Sequence, residues 1–434
     1  MLRREMGRLN ERFAPDCTIL VDGHRVPARA GERVTSALIA AGRPLLSRSP
    51  KYHRPRGPFC LAGSCASCLV RVDGVPNVRA CETPCRDGMR IETQNAVGGA
   101  SHDLLGAIDW LLPKGIDHHK MATWNQLANR VAVKASRQLA GLGLLPDEVP
   151  APWPAASDER FEALVVGSGP AGLGAALALA RAGKKVLLAE REPALGGRLR
   201  CRLGLPGDPE LAWAAEVAEA VRRAGGEVAT GAAVIGLYPG QEGTQAAVVQ
   251  RGEPSRMRRI LAPRVVLGSG SWIQRPVFER NDLPGIHAAR SLAVLLAEEG
   301  VTPGERLAVL GKGPEAAAVA KRFSQAGLKV ELVEGEVARA RGRSRISGLT
   351  LVDGGEVSCD ALAVATDRMP AAELARACGA TLALDAATGA FRVKPGEAGR
   401  IAPGIHAAGE VTGPCSAAEA AEAGRVAGEA VARG

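Results

Sequence analysis

Residues 161–192 read FEALVVGSGPAGLGAALALARAGKKVLLAERE. An apolar run, ALVV, leads into Gly167-x-Gly169-x-x-Gly172, then an alanine- and leucine-rich stretch, then a second apolar run, VLLA, that ends at Glu190. Strand, glycine turn, helix and second strand in that order make a β-α-β unit with parallel strands. Each glycine has its own task. Gly167 makes the tight turn, Gly169 lets the backbone approach a pyrophosphate, and Gly172 lets the helix pack on the strand. The helix N-terminus then faces the phosphates. Glu190, 18 residues after Gly172, stands where a carboxylate accepts from ribose hydroxyls. A lone GxGxxG is weak evidence, but one in register with both strands, the helix and the acid points firmly to a dinucleotide-binding α/β fold. Pro170 and Ala171 in the loop, and Arg191, Gly197 and Arg198 beyond the acid, are candidates to border the nucleotide.

Downstream, ERLAVLGKGPEAAAVAKRFSQAGLKVELVEGE at 305–336 repeats the pattern, with Gly311-x-Gly313-x-x-Ala316 and Glu334. Spacing alone would make this an NAD(P)H site. The arginine-rich run VARARGRSRISGLTLVDGGE at 337–356 follows almost at once, however, and reads as strands and a hairpin. That leaves no room for the usual second helix and following strand, and a half-built fold covers a nicotinamide poorly. Arg339, Arg341, Arg343 and Arg345 alternate as on a strand with one exposed face. A solvated edge or a partner contact suits them better than a grip on a 2′-phosphate.

Upstream, LLPDEVPAPWPAASDER at 144–160 carries prolines at 146, 150, 152 and 154, a stiff extended linker and the clearest boundary in the chain. Residues 101–143 have a helical pattern. Before them, CTILVDGHRVPA (17–28) reads as a hairpin turning at Asp22-Gly23, ERVTSALIAAG (32–42) as a short helix, and CLVRVDGV (68–75) as a strand turning at Asp73-Gly74. These describe a small α+β module.

Within that module Cys60, Cys65 and Cys68 are spaced C-x4-C-x2-C, and Cys81 follows after twelve intervening residues. The first three match the plant-type [2Fe–2S] spacing. The small residues Ala62, Gly63, Ser64, Ala66 and Ser67 let backbone amides approach the sulfurs and tune the cluster. A zinc site is the alternative, though zinc knuckles favour paired CxxC motifs and one pair stands here. Cys81 is the expected fourth ligand, with Cys85 as a neighbour or substitute. Cys17, Cys201, Cys359, Cys378 and Cys415 are isolated and read as buried small hydrophobes.

The chain has 434 residues, 46% hydrophobic and 23% charged, a globular balance of about three folding units. Disorder as the main state is excluded. Aromatics at 3% argue against a stacking platform for nucleic acid, and the net charge of +9 is largely scattered arginine. No apolar run approaches the about 18 residues of a membrane span, and the charged start lacks a secretory h-region. A reducing, cytoplasmic compartment follows, in which clustered thiols bind metal more often than they form disulfides. Neither glycine-rich β-α-β unit has a nearby CxxC, which argues against disulfide exchange. No Ser-His-Asp order or carboxylate pair stands out, the His118-His119 pair reads as surface, and no catalytic residue is assigned.

Two stretches resemble motifs of two-dinucleotide flavoproteins. RVVLGSGSWIQRPVFERNDLPGI (264–286) resembles the strand-to-glycine motif that precedes their domain crossover and contributes Gly270. PGIHAAGEVTGPCSAAEAAEAGRVAGEAVA (403–432) resembles their closing flavin motif, with Gly409 and Glu410 where most relatives carry Asp. These favour FAD, with a structurally held NAD or other adenine nucleotide as the alternative. With RSPKYHRPRGPFC (48–60), which is similar to an RSFKYHRPRG-type run, the order of parts resembles the α subunits of heterotetrameric sarcosine oxidase. It also resembles hydrogen cyanide synthase, opine oxidase and heteromeric proline or hydroxyproline dehydrogenases, from about residue 17 onward. Sarcosine oxidase α subunits generally lack the cluster cysteines, which the small hydrogen cyanide synthase subunit shares with this chain. They also continue into a folate-binding domain, and many dehydrogenase relatives carry a cysteine-rich domain; this chain stops at Gly434 with neither.

The fold so implied is α/β: a β-grasp, ferredoxin-like [2Fe–2S] module, then a glutathione-reductase-like flavoprotein fold with a shortened second Rossmann-like domain. The boundaries read as a basic arm over 1–16, the ferredoxin-like module over 17–97, a helical connector and linker over 98–157, an FAD-binding domain over 158–288 with 395–434, and a truncated NAD-like domain over 289–394. The resemblance implies an electron-transfer subunit of an amine or imino-acid dehydrogenase. Its partner would be a D-amino-acid-oxidase-type β subunit that carries the substrate site. The resemblance also allows an FMN between subunits, a further small ferredoxin-like subunit, and a peripheral place at the inner membrane through the acceptor. Lys51, Arg54 and Arg56 would contact flavin phosphate or the partner, or form structural salt bridges. A self-contained NAD(P)H-dependent flavin/iron–sulfur reductase is the second reading, and a scaffold with a structural nucleotide is the third.

Overall fold

The computed structural model describes residues 9, 13–49, 53–96, 99–102, 127, 130, 146, 148–149, 151–386 and 388–433. Lys51, the His118-His119 pair, most of the basic arm and nearly all of the helical connector read over 101–143 lie outside them. The chain forms two compact units, Met1–Pro150 with Arg275–Thr366, and Ala151–Gln274 with Asp367–Gly434.

The first unit opens with a five-stranded sheet in the order His24–Ala28, Cys17–Val21, Arg90–Glu92, Leu69–Val72, Val75–Arg79. Its two hairpins turn at Asp22-Gly23 and Asp73-Gly74, where both residues have positive φ. That is the turn whose twist matches the flanking strands. Cys17–Val21 runs parallel to Arg90–Glu92 and antiparallel to His24–Ala28. The Val34–Ala40 helix is buried along its whole length, and Ile19, Val26, Leu38, Leu46, Val70 and Ile91 share its core. This mixed sheet with one packed helix is the β-grasp arrangement. Arg33 ties it to the Ala289–Glu299 helix of the same unit, 2.9 Å from Glu299.

The rest of the unit is a parallel sheet ordered Ile286–Ala288, Ala361–Val364, Arg306–Leu310, Lys329–Val333. After Lys329–Val333 the chain enters a meander of Val337–Arg341, Gly348–Leu351 and Glu356–Val357. The meander stands where a full fold has its crossover helix, so the domain is shortened. The returning strand, for which the sequence reading left no room, is present as Ala361–Val364. It is apolar and buried on both faces, as a central parallel strand must be.

The second unit centres on a six-stranded sheet ordered Glu227–Ala229, Val186–Ala189, Ala163–Val166, Arg264–Leu267, Ile405–Ala407, Arg400–Ala402. All but the last strand are parallel. The Pro170–Arg181 and Ala417–Arg433 helices lie together on it backbone to backbone. A Cβ on Gly424 would meet the Ala171 carbonyl oxygen at 1.9 Å, and one on Gly174 the Ala421 carbonyl oxygen at 2.3 Å. A second, antiparallel sheet contains Ala232–Gly240, Gly243–Gln250 and Arg256–Ala262, with Ser157–Arg160 added parallel at its edge.

Candidate functional site

The cysteine loop brings Cys60, Cys65, Cys68 and Cys81 into mutual hydrogen-bond reach. Cys65 bonds Cys60, Cys68 bonds Cys81, and Cys60 also bonds Cys81. Among the described residues no three His, Cys, Asp or Glu side chains converge on a single-ion position. A [2Fe–2S] cluster would need four thiolates rather than a single-ion position, and the quartet supplies four. Backbone N–H groups point at the sulfurs, Gly63 donating to Cys81 Sγ and Cys65 to Cys60 Sγ, each at 3.3 Å. Gly63 has φ +69, and a Cβ there would strike the Glu82 carboxyl. The bond with Cys60, then burial, pushes Cys65 up. The bond with Cys81 draws Cys68 down. Cys81 is drawn down by Cys60 but driven further the other way by Cys68 and burial, to about 12. Metal binding displaces thiol protons. Cys85 lies in the apolar core with Met89 and Leu38, as do Cys68 and Cys81. The residues present therefore fit a [2Fe–2S] cluster on Cys60, Cys65, Cys68 and Cys81.

The entry to that loop is fastened residue by residue along 282–288 of the same unit. Arg56 pairs with Asp282 at 3.0 Å. Gly57 passes so close to Pro284 that a Cβ would lie 2.9 Å from its Cβ. The His287 ring bonds the Pro58 carbonyl at 2.8 Å, and the Ala288 N–H donates to Phe59 at 2.9 Å. Of the three cations proposed before the loop, Arg56 has a structural partner and Arg54 is exposed.

In the second unit Gly167, Gly169, Gly172 and Glu190 come together. A Cβ on Gly172 would sit 1.7 Å from the Gly167 carbonyl oxygen, so the helix rests on the turn, whereas Gly169 has open space in front of it. Open space at the glycine that approaches a pyrophosphate is what a bound dinucleotide requires. Ser168 fixes the acid, its N–H and Oγ reaching Glu190 Oε2 at 2.7 and 2.6 Å, while the Glu192 N–H reaches Oε1 at 2.8 Å. Gly197 folds over Gly169, a Cβ there being 2.8 Å from the Gly169 Cα, and Gly409 lies against Ala171 in the same way. Pro170 opens the helix. Arg191 lies over the Trp272 ring at 5.7 Å, and Gly270 turns with φ +74.

Glu410 is buried and held on three sides. Arg198 Nη1 and Arg368 Nη1 approach Oε1 at 3.0 and 3.1 Å, and Ser271 donates to Oε2 at 2.8 Å. The extra methylene over Asp lets the carboxylate reach both guanidinium groups. Arg198 also donates to the Cys415 carbonyl at 2.8 Å. Ser168, Ser271 and Arg368 are site residues that the sequence reading missed. Ser168 stands inside the glycine motif and was within reach of it; the other two have no motif and arrive through the pairing of Ser271–Ile273 with Arg368–Pro370.

Gly311 and Gly313 belong to the first unit. A Cβ on Gly311 would strike the Ala365 carbonyl oxygen at 2.4 Å, while Gly313 faces open space. In the first turn of the Gly313–Gln325 helix, Glu315 is gripped by Arg290 through Nε at 3.0 Å and Nη2 at 2.9 Å. Among the described residues no helix is long and apolar enough to cross a membrane.

The profile of the 2Fe-2S iron-sulfur cluster binding domain matches residues 15–96, and that of the pyridine nucleotide-disulphide oxidoreductases matches 161–338. The two domains call for a [2Fe–2S] cluster and FAD. Sarcosine oxidase subunit alpha of Rhizobium meliloti is 28% identical over 399 residues, 82% of this chain and 40% of its own length. Hydrogen cyanide synthase subunit HcnA of Pseudomonas aeruginosa is 45% identical over 80 residues, 18% of this chain and 76% of its own. The chain thus spans well under half the length of the sarcosine oxidase α subunit that it matches. The crystal structure of L-proline dehydrogenase from P. horikoshii superposes with a TM-score of 0.78 over 99% of this chain and 75% of that one; at 23% identity the likeness is one of fold. The thiol quartet, the glycine loop with its acid and these alignments agree: the chain belongs to the family of flavin and iron–sulfur subunits that includes sarcosine oxidase subunit alpha and HcnA.

Proposed function

We propose that the chain is the electron-transfer subunit of a heteromeric amine or imino-acid dehydrogenase. One observation carries this reading. A thiol quartet and a dinucleotide glycine loop with its acid occur on one chain that aligns along 82% of its length with a sarcosine oxidase α subunit. When bound, FAD accepts electrons in pairs and the cluster releases them singly. The chain's own residues hold these groups. Gly167, Gly169, Pro170, Ala171 and Gly172 cradle the pyrophosphate, with Gly197 and Gly409 closing on the same loop. Glu190, fixed by Ser168, accepts from ribose. Arg198 and Arg368, balanced by Glu410, present guanidinium N–H groups at the flavin end, while Cys60, Cys65, Cys68 and Cys81 hold the iron. Substrate oxidation, loss of hydride from the carbon next to nitrogen to give an imine, belongs to a partner of the D-amino-acid-oxidase type. An FMN between subunits, a further small ferredoxin-like subunit and a cytoplasmic setting, peripheral to the inner membrane where the acceptor resides there, complete the proposal.

The test is co-expression with a candidate partner subunit and anaerobic addition of secondary amines and imino acids. The reduced-cluster EPR signal should appear in the complex and stay absent from the chain alone. A chain that oxidises such amines by itself, or a complex whose cluster never reports substrate, overturns the reading. The reductase alternative fares worse because Glu315, paired with Arg290, sets a negative charge in the first turn of the second glycine fold's helix.

A further inference from the structure

Arg275 is the first residue of the segment that returns to the cluster module's unit. Its guanidinium lies on the Phe59 ring, 4.2 Å from the centroid, and Nη2 makes a long contact of 3.4 Å to Ser67 Oγ. Phe59 immediately precedes Cys60, and Ser67 stands between Cys65 and Cys68. The cation therefore spans the loop from its entry to its middle. The segment behind it is braced, with Asn281 Nδ2 donating to the Pro276 carbonyl at 2.7 Å. Among the described residues Arg275 has no carboxylate within ion-pair distance. The nearby Asp282 is spent on Arg56 at 3.0 Å. Burial opposes the charge on Arg275, and Cys65 is the foremost group that favours it.

A desolvated guanidinium without a carboxylate partner is costly unless an anion compensates it. The thiolate-ligated cluster is an anionic group that this loop is built to hold, and it gains one more negative charge on reduction. We propose that Arg275 is a positioning residue for electron transfer, an electrostatic counter-charge that makes the [2Fe–2S] cluster easier to reduce. The proposal rests on the cluster assignment and is independent of the amine-oxidation reading. Cation–π contact with Phe59 fixes the guanidinium in place, and the Ser67 hydroxyl orients it. A nearby fixed charge shifts a cluster's potential in the same way as hydrogen bonds to its sulfurs.

The test is an EPR-monitored redox titration of the full chain, purified without air, with iron and sulfide measured in each sample. Arg275→Gln and Arg275→Met remove the charge, the second keeping apolar cover over Phe59. Arg275→Lys keeps the charge, and Arg86→Gln removes an exposed charge paired with Asp73. In both neutral variants the reduction equilibrium should fall about tenfold, or about 59 mV for one electron. The lysine and Arg86 variants should stay within threefold of wild type. Unchanged midpoints in the neutral variants overturn the proposal. So does a lysine variant shifted as far as they are, because packing would then be the cause. Loss of iron from both neutral variants also overturns it and assigns Arg275 to loop structure. Absence of iron from the wild type would instead defeat the cluster assignment itself.

Discussion

Arg198 and Glu410, 212 positions apart in the sequence, meet at 3.0 Å between Nη1 and Oε1, and both are about nine-tenths buried. Arg368 shares the same carboxylate oxygen at 3.1 Å. One carboxylate thus holds two guanidinium groups, and the network depends on its charge. Glu410→Gln removes that charge from between the two cations, leaving Arg198 with only its longer pairing to the Asp208 carboxylate at 3.7 Å among the described residues. Breaking a buried pair from one side costs about 3–5 kcal/mol, so urea unfolding should shift by that order and flavin retained on gel filtration should drop at least tenfold. Glu410→Asp shortens the reach to both arginines and should fall between the two. A Gln variant with wild-type stability would show that the arginines do not depend on the charge.

The glycine loop separates two kinds of glycine. Gly172→Ala places a Cβ 1.7 Å from the Gly167 carbonyl oxygen, a backbone clash that no side-chain rotation relieves. It should destabilise the unit by about 3 kcal/mol or more. Gly169→Ala meets no atom within 4 Å, so the protein should fold with unchanged stability and lose flavin. Thermal unfolding and flavin release measured on the two variants give opposite patterns if Gly169 faces the cofactor. Equal flavin content in Gly169→Ala and wild type would show that the open space is not the pyrophosphate position.

At the thiol quartet, Cys65→Ser should remove about two irons per chain, since each cluster needs all four ligands. Cys85→Ser should leave iron and sulfide unchanged, because Cys60, Cys65, Cys68 and Cys81 already supply the four thiolates a cluster needs, while Cys85 packs among Met89 and Leu38. Iron retained in the first variant and lost in the second would move the fourth ligand from the quartet to Cys85.

The second glycine fold should not serve a nicotinamide reductant. A helix N-terminus attracts phosphate through its unsatisfied N–H groups and dipole, and here Glu315, in the first turn and clamped by Arg290, adds a negative charge that opposes phosphate there. Anaerobic NADH or NADPH should bleach less than about a tenth of the flavin within minutes, against full bleaching by dithionite. Rapid and complete bleaching by either nucleotide would restore the reductase reading.

Local order carried much of this structure in the sequence. The two Asp-Gly turns, the glycine loop and the cysteine spacing are legible because each places special backbone or ligand chemistry at fixed short separations. What was not legible depends on distant pairing. The Ala361–Val364 strand is an ordinary apolar run, and its place in the sheet is set by the meander before it. Arg368 and Ser271 reach Glu410 because two short strands cross, and no residue pattern announces that. Arg275 and His287 owe their positions to the 282–288 segment lying along the cluster-loop entry, a tertiary contact with no periodicity of its own.

His287 makes that contact pH-sensitive. Its ring is fully buried, and because the Pro58 carbonyl can only accept, Nδ1 carries a proton. Burial, above all, lowers its pKa from 6.5 to about 4. The folded value lies below the unfolded one, so as pH falls the unfolded chain takes up the proton first. Stability is therefore full above about pH 6.5, declines through the interval down to 4, and has lost about 3 kcal/mol at its lower end. Glu299, whose carboxyl burial pushes up from 4.5, has the opposite sign and weakens the fold as pH rises past its ordinary value, which mutes the net slope. The His287→Gln variant separates the two, since it keeps a donor for Pro58 and removes the titration. Between pH 7.5 and 5 the wild type should lose about 2 kcal/mol more than the variant in urea unfolding. Parallel losses in the two proteins would show that His287 finds another way to hold its proton.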